Sequence, residues 1–329
     1  MKVIIPFTIH GVGGTSTFAT KFSDALRHVN IKVTNRFAFD ADCLFIIVDC
    51  ALWLAFLAKI SGIRVVQRLD GVYHPATPYG AWYWLYNIKM KIIHNYLADF
   101  VVYQSEFSAQ SCRKFLGVPH KQSTLIYNGV AIPSPVASKR RTDTIKPIRL
   151  VTFAKFRRQD QIEPIIRAVA LLDPREYTLD IYGSYTQSLE QLFTTLPSHI
   201  SAKGELPNRK LLARLHDYDM FLFADQSACP NAVIEALAAG LPVVGYDRGS
   251  ISELVSNGRS GEIVRLKHHD PFVTSYPYTE DDYQLMSQAI EKVRKKLETY
   301  RREARQSAVE HFDIEPMMNQ YLKVISDHA

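Results

Sequence analysis

At 329 residues, 47% hydrophobic and 22% charged, the chain has the balance of a globular protein, and its length suits two domains. That balance excludes intrinsic disorder, collagen and coiled coil. The longest uninterrupted apolar stretch, Cys50 to Ala58, is far short of the ~20 residues that span a bilayer. The charge is uneven: residues 1–145 carry 16 Lys and Arg against 8 Asp and Glu, whereas residues 146–329 carry 23 against 25.

The N-terminal VIIPF (3–7) reads as a strand leading into a Gly-rich turn, not as a signal peptide. An amphipathic helix follows near Thr17 to His28. CLFIIVD (43–49), IRVVQRL (63–69), DFVVYQS (99–105) and STLIYNG (123–129) read as further strands. They are continuously apolar rather than alternating, which fits parallel strands covered on both faces. Residues 132–147, rich in Pro, Ser, Thr, Lys and Arg, read as a linker and hinge. The pattern then restarts with IRLVTFAK (148–155), TLDIYG (178–183), DMFLFAD (219–225) and LPVVGY (241–246). Residues 281–311 read as helical with a solvated, charged face, and FDIEPMMNQYLKVI as a terminal amphipathic helix. Strands separated by helices give an α/β fold of two similar domains. The expected bounds are 1–135, joined by the last helix at about 312–329, and 146–311.

The basic first half either attracts an anionic partner (a membrane surface, a lipid phosphate, an acidic substrate) or serves solubility. No basic run with interleaved aromatics indicates nucleic acid. AWYWLYNIKMK (81–91) either rests on a membrane surface or packs as a buried helix. Four scattered cysteines without a C-x-x-C pair read as buried free thiols in a reducing cytosol. The expected location is therefore cytoplasmic, with a peripheral position at the inner membrane face as an extension.

Ligands of open parallel sheets bind outside the carboxyl ends of the strands, so the chemistry belongs in the exit turns. The first exit, residues 8–16, contains Gly13, Gly14 and Thr15. Its glycines admit a phosphate or sugar to backbone N–H groups, or simply make a turn. Ser16 stands where a dinucleotide fingerprint needs its third glycine. At the next exit considered, Asp70 either accepts a hydrogen bond or proton from a sugar hydroxyl or caps the following turn. Lys155, Arg157 and Arg158 follow a strand and either clamp a diphosphate or lie on a solvated surface.

The most specific segment runs from Asp225 to Val244. A tight turn holds Cys229, Pro230 and Asn231. The amides of Asn231, Ala232 and Val233 open a helix and are free to meet an anion. Glu235, one turn on within an apolar run, needs hydrogen-bond partners, and ribose hydroxyls would serve. Asp40 and Asp42 precede their strand, at the wrong end of the sheet for a metal–substrate site, and His268 and His269 read as surface. No metal site is expected.

The segment CPNAVIEALAAGLPVV, with DRGSISELV (247–255) and a SNGRSG turn, resembles the family 4 retaining glycosyltransferases. So do the GGTS turn, IYNGV (126–130) and LDIYG (179–183), in order along nearly the whole chain. The resemblance implies the GT-B architecture, in which two Rossmann-like domains with parallel sheets face a central cleft. It implies transfer from a nucleotide-diphospho-sugar, as co-substrate, to a glycan or lipid-linked acceptor, with retention at the anomeric carbon and no required metal or other cofactor. Surface polysaccharide synthesis is the expected setting. By position, Glu235 would hold the ribose, Asn231 to Val233 the diphosphate or donor sugar, and Lys155 with Arg158 the leaving phosphates. Gly13, Gly14 and Thr15 would line the opposite side, and Gly183 falls in the matched LDIYG. The family's first motif glutamate falls on Ser227, its common N-terminal His on Asp70, and its second phosphate-binding Lys near Asp160. Two alternatives stay open: a nucleotide-sugar epimerase on the same fold, in which Glu235 would keep its place, and a catalytically weak, glycosyltransferase-like binding subunit, which Ser227 keeps open.

Overall fold

The apolar runs read above as strands become strands of parallel sheets, whereas the longest apolar stretch, Cys50 to Ala58, forms most of a helix. The computed structural model of the chain describes residues 1–7, 14–73, 82–133, 147–267 and 270–326. The chain divides into two units: Met1–Asn128 with Ile314–Ala329, and Gly129–Asp313.

In the first unit the strands are β1 (Lys2–Ile4), β2 (Lys32–Thr34), β3 (Cys43–Ile47), β4 (Arg64–Leu69), β5 (Phe100–Tyr103) and β6 (Gln122–Leu125). They pair in the order β2-β1-β3-β4-β5-β6, all parallel. Helix α1 (Gly14–His28) turns Phe18, Phe22 and Leu26 onto one face of this sheet. The other face carries α2 (Leu52–Ile60), α3 (Tyr83–Ile92), which runs on into a π-helical turn at Ile93–Leu97, and α4 (Glu106–Phe115). Ser105 caps α4 by accepting the Ser108 N–H at 3.0 Å, a Ser N-cap satisfying one orphan amide. Burial pushes the Cys43 and Cys50 thiols up to about 12, which removes them as nucleophiles at neutral pH.

The second unit holds β7 (Ile148–Phe153), α5 (Glu163–Ala170), β8 (Tyr177–Tyr182), α6 (Glu190–Thr194), β9 (Ile200–Gly204), α7 (Asn208–Leu212), β10 (Met220–Phe223), α8 (Asn231–Ala238), β11 (Val243–Tyr246), α9 (Ile251–Leu254) and β12 (Gly261–Val264). Two long helices, α10 (Glu280–Arg294) and α11 (Leu297–His311), complete it. The sheet order is β12-β11-β10-β7-β8-β9, again parallel. Read from β7, this is the Rossmann order, with the reversal between β7 and β10. The final helix, α12 (Ile314–Ser326), belongs to the first unit, where Tyr321 packs against Phe18, Phe22 and Phe45.

Two differences from the sequence reading have physical causes. The unforeseen strands β2, β9 and β12 are all sheet edges, so none needs a long apolar run. The helical stretch at 281–311 is two helices, because α10 packs on α5 and β12 while α11 packs on α8. One straight rod would not cover both surfaces. The Asp40/Asp42 pair binds Lys2: its amide donates to Asp42 at 2.6 Å and its ammonium pairs with Asp40 at 2.6 Å. The linker lies largely, and His268 and His269 entirely, outside the described residues.

Candidate functional site

The strand order reverses between β7 and β10, and the carboxyl edge of a parallel sheet at such a reversal is where its ligands bind. β7 exits into Ala154 and Lys155. Gly183, after the neighbouring β8, has φ +120, and a Cβ there would stand 1.8 Å from the Ala154 carbonyl oxygen. Only glycine permits the two exits to touch. Ala154 and Phe156, on either side of Lys155, donate to the carbonyls of Tyr182 and Ser184 at 3.2 and 2.9 Å. Lys155 is thus an exposed side chain on a fixed backbone, with no hydrogen-bond or ion-pair partner among the described residues.

Arg158 is already paired. Its Nε meets Asp160 at 2.9 Å and its Nη2 meets Asp225 at 3.2 Å. Burial pushes the Asp225 carboxyl above the ordinary carboxylate range, and Arg158 pulls it partly back. Arg157 is exposed, and its amide and that of Arg158 both donate to Gln161 Oε1.

The sequence reading gave no role to Arg248, which ties this edge together. It is 1% exposed and donates to Asp160 at 3.0 Å, to the Tyr278 hydroxyl at 3.3 Å and to the Thr274 carbonyl at 2.6 Å. Its position two residues after the apolar VVGY strand was the available signal. Where the resemblance places a Lys, this chain has Asp160 held between two arginines.

β10 exits into the loop carrying Ser227. Gly249, at φ +64, lies against it: a Cβ would stand 2.4 Å from the Ser227 carbonyl oxygen. The Ser250 amide and hydroxyl both donate to that carbonyl, at 3.0 and 3.2 Å. The Ser227 hydroxyl is half-buried and has no partner among the described residues. The loop ends at Cys229, which is buried, and Pro230, the N-cap of α8, which supplies no capping side chain. The amides of Asn231 and Ala232 therefore remain open at the helix start. Val233 does not share this freedom: its N–H donates to the Pro230 carbonyl at 3.1 Å, because the first turn closes in the tighter i→i−3 manner. Glu235 is 7% exposed and accepts from Asn208 at 3.3 Å. Gly240, at φ +75, ends the helix.

Gly14, Thr15 and Asp70 belong to the first unit. Gly14 and Thr15 open α1, and among the described residues no atom lies within 4 Å of a Cβ placed at Gly14. Gly13 lies outside the described residues. Asp70 follows β4; burial raises its carboxyl pKa, against the attraction of Arg68. Arg68 itself is buried, stacks on the Phe18 ring at 3.6 Å and donates to Tyr321 and Asn128 at 3.0 and 2.8 Å. Among the described residues, no three His, Cys, Asp or Glu side chains cluster as metal ligands.

Comparison with solved structures assigns this arrangement to the GT-B fold of glycosyltransferases. Anabaena HepE, solved in complex with UDP and glucose, aligns over 99% of both chains with a TM-score of 0.71 and 16% identity. Sucrose-phosphate synthase from Thermosynechococcus elongatus aligns over 98% of this chain and 97% of its own, with a TM-score of 0.78 and 15% identity. Residues 147–276 match the family model described as glycosyl transferases group 1. Among curated proteins, the amylovoran biosynthesis glycosyltransferase AmsK of Erwinia amylovora is 26% identical over 159 residues, 44% of this chain and 39% of AmsK. The putative colanic acid biosynthesis glycosyltransferase WcaL of Salmonella typhimurium is 28% identical over 131 residues, 36% of this chain and 32% of WcaL. The chain thus spans about a third to two fifths of the length of these relatives.

Proposed function

We propose that the protein is a retaining glycosyltransferase that moves a sugar from a nucleotide-diphospho-sugar to a glycan or lipid-linked acceptor in surface polysaccharide synthesis. The observation that carries this reading is the meeting of three features at neighbouring strand exits: the unpaired Lys155, the open amides of Asn231 and Ala232, and the buried Glu235. The names of AmsK and WcaL support the polysaccharide setting, and the UDP in HepE supports a nucleotide-sugar donor.

As the bond between the anomeric carbon and the phosphate breaks, negative charge grows on the leaving diphosphate. Lys155 and the α8 amides are preorganised to receive it, which is where enzymes gain most of their rate. Arg158 contributes what Asp160 and Asp225 leave it. Glu235 accepts from the ribose hydroxyls. In this reading the Ser227 hydroxyl, on a backbone anchored by Ser250, meets the donor sugar. Asp70 and the α1 start serve the acceptor side. The leaving phosphate takes the acceptor proton, so the protein needs no separate base, and no metal ion is required.

A thermal-shift screen against UDP, GDP, ADP and their sugar conjugates, in EDTA, tests this. A ligand at 100 times its Kd adds about 2.7 kcal/mol. One nucleotide series should raise Tm in the parent and not in Glu235→Ala. Absence of a shift with every nucleotide would overturn the reading. Donor consumption without acceptor would point to the epimerase. Retention is read from the anomeric configuration of the product.

A further inference from the structure

We infer that Arg248 is a positioning residue for the leaving diphosphate: acting through Asp160, it fixes Arg158 so that one nitrogen, Nη1, is kept for a phosphate oxygen. This rests on the transferase reading above and adds to it a residue that itself touches no ligand.

Three adjacent strands supply the parts. Arg158 and Asp160 follow β7, Asp225 follows β10 and Arg248 follows β11, and these strands lie side by side in the sheet. The charges alternate. Arg248 donates to Asp160 Oδ2 at 3.0 Å, and Asp160 Oδ1 accepts from Arg158 Nε at 2.9 Å. Arg158 Nη2 then donates to Asp225 Oδ1 at 3.2 Å. Each carboxylate oxygen of Asp160 thus has its own arginine. Two cations and two carboxylates balance, so the cluster holds together without a ligand to neutralise it.

The two arginines differ in what they can reach. The Arg248 side chain is fully buried. Its remaining bonds go to the Thr274 carbonyl at 2.6 Å and the Tyr278 hydroxyl at 3.3 Å, and Tyr278 packs on the buried Tyr246 ring at 4.7 Å. Arg248 is therefore tied to the core. Arg158 keeps 28% of its side chain exposed. Carboxylates hold its Nε and Nη2, and its Nη1 has no partner among the described residues. A guanidinium is one rigid plane, so fixing two of its nitrogens fixes the direction of the third. The rotamer freedom of this long side chain is lost on folding rather than on binding. A donor aimed before charge develops is the most effective kind. Asp160 carries the decisive sign: as a bare negative charge beside a diphosphate it weakens binding, whereas as the grip on Arg158 it strengthens it.

The test measures the preference for a nucleoside diphosphate over its monophosphate. Calorimetric Kd values are taken for UMP and UDP, with the GMP–GDP and AMP–ADP pairs alongside. Their ratio isolates the second phosphate; general loosening of the site weakens both ligands and leaves the ratio unchanged. Arg158→Met should lower the ratio about tenfold, the worth of a charge-assisted hydrogen bond. Arg248→Met should lower it about threefold or more, and the double variant no further than Arg158→Met alone, because coupled residues are not additive. Asp160→Asn should also lower it, although a negative charge is removed. Should Arg248→Met fail to fold, Asp160→Asn decides. A parent-level ratio in Arg248→Met, additive losses in the double variant, or a ratio that rises in Asp160→Asn overturns the inference and leaves the transferase reading standing. So does a parent that binds monophosphate and diphosphate alike. If the parent binds none of these nucleotides, the transferase reading falls and the inference falls with it.

Discussion

Replacing Gly183 by Ala sets a methyl group 1.8 Å from the Ala154 carbonyl oxygen and 2.9 Å from its carbon. A relaxed contact between a carbon and a carbonyl oxygen is about 3.3–3.6 Å, so one of two backbones must retreat by about 1.5 Å. Neither is the free end of a side chain: β7 and β8 pair in register from Ile148↔Tyr177 to Phe153↔Tyr182. The φ of +120 adds backbone strain of roughly 1–3 kcal/mol. Overpacking adds roughly 1–3 kcal/mol. The expected loss is therefore about 4 kcal/mol, a large part of the ~5–15 kcal/mol that holds a domain folded. Urea unfolding measures it, with Gly258→Ala as the control. Gly258 has φ +79 but nothing within 4 Å of a Cβ, so it carries backbone strain alone, about 1 kcal/mol. Because Lys155 follows Ala154, nucleotide affinity should fall together with stability. If Gly183→Ala costs no more than Gly258→Ala, the close approach of the two strand exits is not what requires glycine.

Lys155→Ala should weaken nucleotide diphosphate binding about tenfold or more, the worth of a charge-assisted hydrogen bond, and leave the ligand-free Tm unchanged. Calorimetric titration and thermal melting check both halves. Arg248→Met should cost about 1–3 kcal/mol in urea unfolding, because the Thr274 carbonyl and one side of Asp160 lose their buried donor while Arg158 still pairs with Asp160; no measurable change would refute this. His94 gives a pH dependence. Burial holds its imidazole below the ordinary 6.5, against its bond to Asn95. The folded-state pKa is depressed, so its contribution is complete above pH 6.5 and is lost as pH falls through the folded value. His94→Leu should be less stable at pH 7.5, since Asn95 and Tyr103 lose their partner, yet decline less between pH ~6.5 and ~5. Parallel stability curves for parent and variant would refute the assignment.

Much of the fold was legible because parallel strands covered on both faces must be continuously apolar. CLFIIVD and DMFLFAD announce β3 and β10 without help from the rest of the chain. The edge strands lack that mark: Ala202 to Gly204 in β9 are exposed or nearly so, and only pairing with β8 makes them a strand. The exposed stripe of α2 was visible at positions 53, 56 and 60, but periodicity alone does not tell which of two apolar sides is buried. Only the core cluster containing Leu54, Ala55 and Ala58 does.

The amino-acid order by itself determined the α/β class, most strand positions and the glycine-bounded helix after CysProAsn, because these depend on local chemistry and short-range period. Tertiary structure decided which cations are free. Lys155 and Arg158 are three residues apart and look equivalent in sequence. Folding brings Asp225, 67 residues further along, and Asp160 to Arg158, and leaves Lys155 open. It also closes the Val233 amide onto Pro230 while leaving Asn231 and Ala232 without a partner among the described residues. A charge or an amide is available only if nothing else in the folded chain has taken it, and that is settled by distances in space.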